Sequence, residues 1–371
     1  MNEAAVTQER EALANFLAEH PKPSATELAE AGYVAPHWPR PWGRGAGPAE
    51  QLAIDEGLRS AGISRPSNPI GIGWAGPTLL VAGTPEQQER WLPGLLTAED
   101  FWCQLFSEPD AGSDLAALRT RAVRDGEEWV IDGVKVWTSY GHRADYGILI
   151  ARTDAEGDRH HGITYFVCPM DTPGVEVSPL VDMTGAHTFN QVTFNEVRLS
   201  DDHRVGAVGQ GWELAKVTLG NERVSLSGGG ALWGHGPTFA DLLNLVRGKV
   251  SDPTLRDRLA SAYIHAEVLE LIRRRTLAAL LAGRSPGPEA SVRKALSDEH
   301  GKEIMELGRD LAGAAGMLAG TGPNGEQGDA TGIWAYGFLF APALTIGGGT
   351  SEVQRNIIAE RVLGLPRELE V

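Results

Sequence analysis

The hydrophobic period of this chain changes twice, and that change constrains its fold more than any single motif. Up to about residue 99, apolar side chains recur at helical spacing between Pro/Gly loops, as with Leu13, Phe16 and Leu17. Thr84-Pro85-Glu86-Gln87 is a helix start, with Thr84 as cap, Pro85 at the first helical position and Gln87 completing a capping box. Residues 38–47 read as a loop. Between residues 100 and 206 short apolar runs alternate with turn residues, at 146–151, 163–168, 175–177 and 192–199. Within this stretch Asp132-Gly133, flanked by two strand-like runs, is suited to a type I′ turn and predicts a hairpin. Helical spacing then returns over 212–245, 255–281 and 292–318. A last helix over 351–363 is expected to start at a Ser351/Gln354 capping box and to stop at Gly364 and Pro366. The expected fold class is α+β: an N-terminal helical domain (1–99), a central antiparallel β domain (100–206) and a C-terminal helical bundle (207–371).

Composition narrows the partners. With 33 Lys+Arg against 49 Asp+Glu the formal charge is -16, which argues against nucleic acid as a partner. No apolar run approaches the roughly 18 residues of a membrane span. The polar, Glu-bearing first residues fit neither a signal nor a transit peptide. Cys103 and Cys168, the two cysteines, both sit in apolar runs, so buried free thiols in a reducing cytoplasm are expected rather than a disulfide or a metal site. His160 and His161 lie in a polar loop and read as solvated.

Residues 102–114 are the centre of the chain's organisation. An apolar strand, Cys103 to Phe106, runs directly into Ser107, Glu108, Pro109, Gly112 and Ser113, so a buried element ends in groups that can hydrogen-bond a ligand. Phe106-Ser107-Glu108-Pro109-Asp110-Ala111-Gly112-Ser113-Asp114, Lys135-Val136-Trp137-Thr138-Ser139 and Gly349-Thr350-Ser351-Glu352-Val353-Gln354-Arg355-Asn356, in this helix, strand, helix order, resemble the acyl-CoA dehydrogenase family. Those flavoenzymes oxidise the Cα–Cβ bond of acyl-CoA thioesters. The resemblance implies FAD as cofactor, with Phe106 and Ser107 at the polar end of the flavin ring, Trp137 packed on it, Ser139 near its N5, and Thr350 and Glu352 toward the adenine half. It places Ser113 near the phosphates of the substrate's CoA. It also implies electron-transferring flavoprotein as acceptor. No Gly-x-Gly-x-x-Gly follows a strand, as befits a family that does not bind FAD through the dinucleotide fold.

The chemistry asks for a carboxylate aimed at the substrate's α-carbon and donors on the thioester oxygen. In many family members the base is a Glu just before Gly-Thr-Ser; here that position is Gly348, which has no side chain but keeps its backbone N–H as a donor. Isovaleryl and long-chain members instead carry the base just before an Arg on the first helix after the β domain. Asn221-Glu222-Arg223 matches that placement, giving Glu222 as base and Arg223 as a substrate contact. Glu108 reads as a structural carboxylate that satisfies backbone N–H groups or an Arg. Two departures bear on assembly: the family's Arg-x-Thr-Phe-Gly element, which reaches a neighbour's FAD, is absent near Arg247, and Asp310 stands where the family has a Gln. A homotetramer and a heteromeric dimer of dimers with an unlike partner, of the kind that acts on steroid side-chain thioesters, both remain open. So do an inactive assembly subunit and an acyl-CoA oxidase.

Overall fold

The computed structural model describes residues 3–154, 159–226, 231–232, 236–247, 250, 252–282, 287–288, 290–314 and 332–367. The chain divides into two compact units, Met1–Leu180 with His187–Asn221, and Val181–Ala186 with Glu222–Val371.

The first unit begins with helices α1 (Glu3–Glu19), α2 (Ala25–Glu30), α3 (Pro48–Ser60), α4 (Gly76–Ala82) and α5 (Pro85–Thr97). Helix α5 starts where the sequence predicts, with Thr84 accepting from Gln87 N and Gln87 Oε1 accepting from Thr84 N. The same Gln87 amide donates to the carbonyls of Asp202 (2.7 Å) and Arg204 (2.8 Å). One side chain thus caps the helix and ties it to the segment that closes the sheet.

The sheet comprises β1 (Trp102–Leu105), β2 (Arg121–Asp125), β3 (Glu128–Ser139), β4 (Tyr146–Arg152), β5 (Ile163–Pro169), β6 (Val175–Leu180), β7 (Phe189–Ser200) and β8 (Arg204–Val205). Its order is β6-β7-β3-β2-β4-β5-β8, with β1 parallel to β4. Alternation along the strands sends Trp129, Ile131, Leu149, Phe166, Val192 and Val197 into one apolar core. Cys103 and Cys168 are free and buried in it, and burial pushes the Cys168 thiol up to about 12.

The expected Asp132-Gly133 hairpin does not form. Both residues lie inside the continuous strand β3, and the hairpin is made by β2 and β3 around Gly126 (φ 65°). Asp132-Gly133 instead faces a bulge on β7, where the register shifts and Asp132 Oδ1 accepts from Glu196 N at 3.0 Å. Gly133 is required there because its φ is 153° and a Cβ would come within 2.5 Å of the Thr120 hydroxyl. A flexible Asp-Gly pair serves a bulge as well as a turn, and tertiary contacts decide which.

Helix α6 (Gly211–Leu226) follows the sheet. Its Thr218 is fully buried and joins Thr78 of α4 (2.9 Å) and the Tyr165 hydroxyl of β5 (3.1 Å), a chain of hydroxyls that links helix, helix and sheet.

The second unit contains α7 (Phe239–Val246), α8 (Pro253–Leu281), α9 (Ala290–Ala312), α10 (Gly332–Phe340), a 3₁₀ turn at Ala341–Thr345 and α11 (Ser351–Ile357), which continues as a wider turn to Val362. The stretch 212–245 is therefore not one helix among the described residues, and residues 315–318 of the third expected stretch lie outside them. The core holds Leu242, Ala262, Ile304, Met305, Leu307, Trp334 and Leu344. Gly308 lets α9 approach α10, since a Cβ there would overlap the Trp334 ring at 1.9 Å. No helix among the described residues is long and apolar enough to cross a membrane.

Candidate active site

The loop after β1 is held by a buried ion pair. Lys135 Nζ donates to Glu108 Oε1 (2.8 Å) and to the Phe106 carbonyl (2.9 Å). Glu108 also accepts from the backbone N–H groups of Arg119 (2.6 Å) and Thr120 (2.9 Å). Burial pushes the Glu108 carboxyl up, but the Lys135 charge and these donors outweigh it and hold it below its usual range. Burial brings the Lys135 ammonium down to about 8. Glu108 is structural, as its sequence context suggests; its cation is Lys135 rather than an Arg. Lys135 has no assigned role in the sequence reading, and its place inside an otherwise alternating strand is the signal that could have found it.

The same arrangement exposes the other side of the loop. The Ser107 carbonyl accepts from Val136 N at 2.9 Å, and Phe106 is buried with its ring edge-on to Tyr165. In a trans peptide C=O and N–H point to opposite sides. Anchoring the Phe106 carbonyl to Lys135 therefore turns the Ser107 N–H away from the ion pair, and among the described residues it has no acceptor.

Beside it, β3 carries one residue more than β7 between Lys135 and Thr138, a bulge that puts Trp137 at φ 59°. Trp137 is 63% exposed and its ring meets the Phe189 ring edge-on, so it is not the core residue that a strand Trp usually becomes. Ser107 and Ser139 are half-buried, and the buried Thr138 Oγ1 has no partner among the described residues. An exposed indole face, two hydroxyls and a free N–H on one loop and one bulge fit a flat heteroaromatic ring with a polar edge. Ser113 is exposed. Next to it Asp114 pairs with Arg159, which with Arg119, Arg121 and Arg152 lines a groove of about 510 Å³.

In α6, Leu214, Thr218 and Glu222 are four residues apart, on one helix face, and all are buried; Glu222 is only 6% exposed. It is not a solvated helix glutamate. The backbone of Arg223 is helical, and its side chain lies outside the described residues, as do residues 227–230.

In the second unit the glycine run before α11 is in left-handed backbone at Gly348 (φ 66°) and Gly349 (φ 91°). Helix α11 is capped by Thr350, which accepts from Val353 N, and not by Ser351. Gln354, assigned to the box in the sequence reading, is buried instead and donates to the carbonyls of Gly348 (3.1 Å) and Gly349 (3.3 Å). Closure of the glycine loop takes precedence over the box. Glu352 is exposed, its carboxyl held below its usual range by hydrogen bonds from its own backbone N–H and from Thr350.

Lys294 and Asp298, also missed by sequence reasoning, form a buried pair on α9; a Lys and an Asp four apart on an apolar helix face were their signal. His265, His300 and Glu303 bring ligand atoms within 4.8 Å of one another, although no metal site is expected from the sequence. Their spacing does not announce it because they come from two helices, and Glu303 Oε2 already accepts from His265 at 2.8 Å.

Models of the acyl-CoA dehydrogenase N-terminal, middle and C-terminal domains match residues 4–99, 103–200 and 209–363. The chain is 44% identical to acyl-CoA dehydrogenase FadE34 of Mycobacterium tuberculosis over 92% of its own length, and spans about half (46%) of that relative. It is 41% identical to acyl-CoA dehydrogenase IpdE1 of the same organism, over 92% of this chain and 87% of the relative. Among solved structures, the Tcur3481-Tcur3483 steroid ACAD superposes with a TM-score of 0.77 at 28% identity, over 99% of both chains. The ChsE4-ChsE5 complex from Mycobacterium tuberculosis does so with 0.73 at 30%, over 99% of this chain and 98% of that one. With all three domain models matched in order and a full-length relative at 41% identity, the chain belongs to the acyl-CoA dehydrogenase family.

Proposed function

We propose that the protein catalyses the α,β-dehydrogenation of an acyl-CoA thioester to the 2-enoyl-CoA, with Glu222 as the base. The observation that carries this is the burial of Glu222 on the inward face of α6, while the alternative base position is a glycine. Glu222 removes the α-proton, and the backbone N–H of Gly348 donates to the thioester oxygen as negative charge develops there. Both belong to the same compact unit. FAD, when bound, supplies the acceptor for the hydride leaving the β-carbon. Trp137 offers its exposed face to the flavin ring, Phe106, Ser107 and Ser139 its polar contacts, and Thr350 and Glu352 those of the adenine half. Ser113 and the arginine-lined groove beside it meet the CoA phosphates, and Arg223 contacts the substrate. One solved relative is named a steroid ACAD, which supports a steroid-derived acyl group as the substrate class. Electron-transferring flavoprotein is the acceptor the family implies.

Glu222→Gln is expected to cut acyl-CoA oxidation, assayed with an artificial electron acceptor, by at least about 10²-fold. An unchanged rate removes the mechanism. A panel of butyryl-, octanoyl-, palmitoyl- and steroid side-chain CoA thioesters identifies the substrate class.

A second reading concerns assembly, with this chain as the base-bearing subunit beside an unlike partner. It is favoured by the Tcur3481-Tcur3483 steroid ACAD and the ChsE4-ChsE5 complex, each named for two different chains, and by the missing Arg-x-Thr-Phe-Gly element. About one FAD per chain in protein purified alone would rule out obligatory pairing.

A further inference from the structure

We infer that Lys294 is the positioning residue of the oxyanion site: by gripping the Gly347 carbonyl from inside the helical unit, it aims the Gly348 N–H at the thioester oxygen and strengthens it as a donor. This rests on the reading of Gly348 given above. Lys294 is fully buried on α9, and its ammonium has three acceptors, Asp298 Oδ2, the Leu344 carbonyl (3.1 Å) and the Gly347 carbonyl (3.0 Å). The Gly347 oxygen and the Gly348 N–H belong to one peptide plane and point in opposite directions. Fixing the oxygen on Lys294 fixes the N–H on the far side, and among the described residues that N–H has no acceptor. The next two carbonyls, of Gly348 and Gly349, are drawn by the Gln354 amide, so three successive oxygens of the loop are held by two buried side chains. A cation on an amide oxygen also polarises the peptide and makes its N–H a better donor.

Asp298, buried four residues along the same helix, gives the Lys294 side chain a carboxylate partner, so its charge is not isolated in the core. The arrangement gives Gly348, a residue without a side chain, a preset donor whose strength comes from a lysine that never touches substrate. It also accounts for the left-handed φ at Gly348, the turn that lets successive carbonyls converge inward.

A lysine that merely closes the 3₁₀ turn would change stability and not the substrate carbonyl, so the test reads the carbonyl. In flavin-loaded protein carrying Glu222→Gln, which blocks turnover, the infrared band of a ¹³C-labelled thioester carbonyl is recorded, using the best-binding thioester of the panel above. With Lys294 in place the band lies below that of the free thioester; adding Lys294→Met moves it back toward the free value. In the otherwise unaltered chain Lys294→Met lowers kcat about tenfold or more with little change in KM, because the interaction strengthens in the transition state. Lys294→Gln keeps a donor without the charge, gives an intermediate band, and carries the test if the methionine variant does not fold. A band unmoved in either folded variant overturns the inference. A band at the free position even with Lys294 present sinks the Gly348 reading instead.

Discussion

Trp137 combines two features that a chain on its own does not favour, a tryptophan 63% exposed and a left-handed φ of 59°. Left-handed backbone costs a bulky residue about 1–2 kcal/mol, and here the β-bulge enforces it. Such strain persists where the surrounding structure over-determines it, commonly at a ligand site. Trp137→Gly is therefore expected to leave the melting temperature of the flavin-free protein unchanged or raised, while flavin retained through gel filtration falls. A lowered melting temperature with full flavin retention would make Trp137 a packing residue. Asp298 gives a pH prediction of its own. Burial raises its carboxyl from 3.8 to about 6, against the pull of Lys294. Between those values the folded chain holds a proton that the unfolded chain has released. The contribution is thus fully present below about pH 4 and is lost as pH rises through 6. In urea unfolding, the stability of Asp298→Asn relative to the unaltered chain should rise across that window; a constant difference would contradict the assignment.

At the level of elements, the ion pair of Glu108 and Lys135 joins the loop after β1 to β3 and takes up two further backbone N–H groups from the segment before β2. Glu108→Ala leaves a buried ammonium, the buried Thr120 N–H and the part-buried Arg119 N–H uncompensated, and is expected to cost roughly 3–5 kcal/mol in urea unfolding. Asp110→Ala, two residues beyond Glu108, removes only the exposed partner of Arg119 and should change nothing measurable. This contrast also shows what the sequence can convey. The α5 start was legible because its signal is local: Thr84, Pro85 and Gln87 satisfy one another within a single turn. Strands β4, β5 and β7 were legible because apolar runs bounded by turn residues have few alternatives. Asp132-Gly133 was misread because its conformation is set by β7 and Thr120, and no local rule reaches them. Ser351 was misread for the same reason, since the glycine loop drew Gln354 away. The exposure of Trp137 follows from a bulge that the strand's own alternation does not reveal.

For the molecule as a whole, the apolar surface of α8 raises the question of assembly. Of its 29 residues only Ala262 is buried among those described, while Tyr263, Ile264 and Leu271 are more than half exposed. Ile264, Val268 and Leu271 follow one another at helical spacing, so they form a stripe and not scattered surface residues. A stripe of this kind on a long helix is expected to be covered by another chain, and the two solved structures that match along nearly the full length are each named for two chains. The occupant expected on it is a second chain of the same fold. Ile264→Glu with Leu271→Glu puts two carboxylates on the stripe without disturbing a buried side chain, so the stability of the separate chain should change by no more than about 0.5 kcal/mol per site. The mass by light scattering should then fall toward that of one chain, and retained flavin should fall with it if the cofactor site is completed by the neighbour. An unchanged mass would assign the stripe no part in assembly. A reduced mass with full flavin would separate the two roles, leaving assembly on α8 and the whole FAD site within one chain.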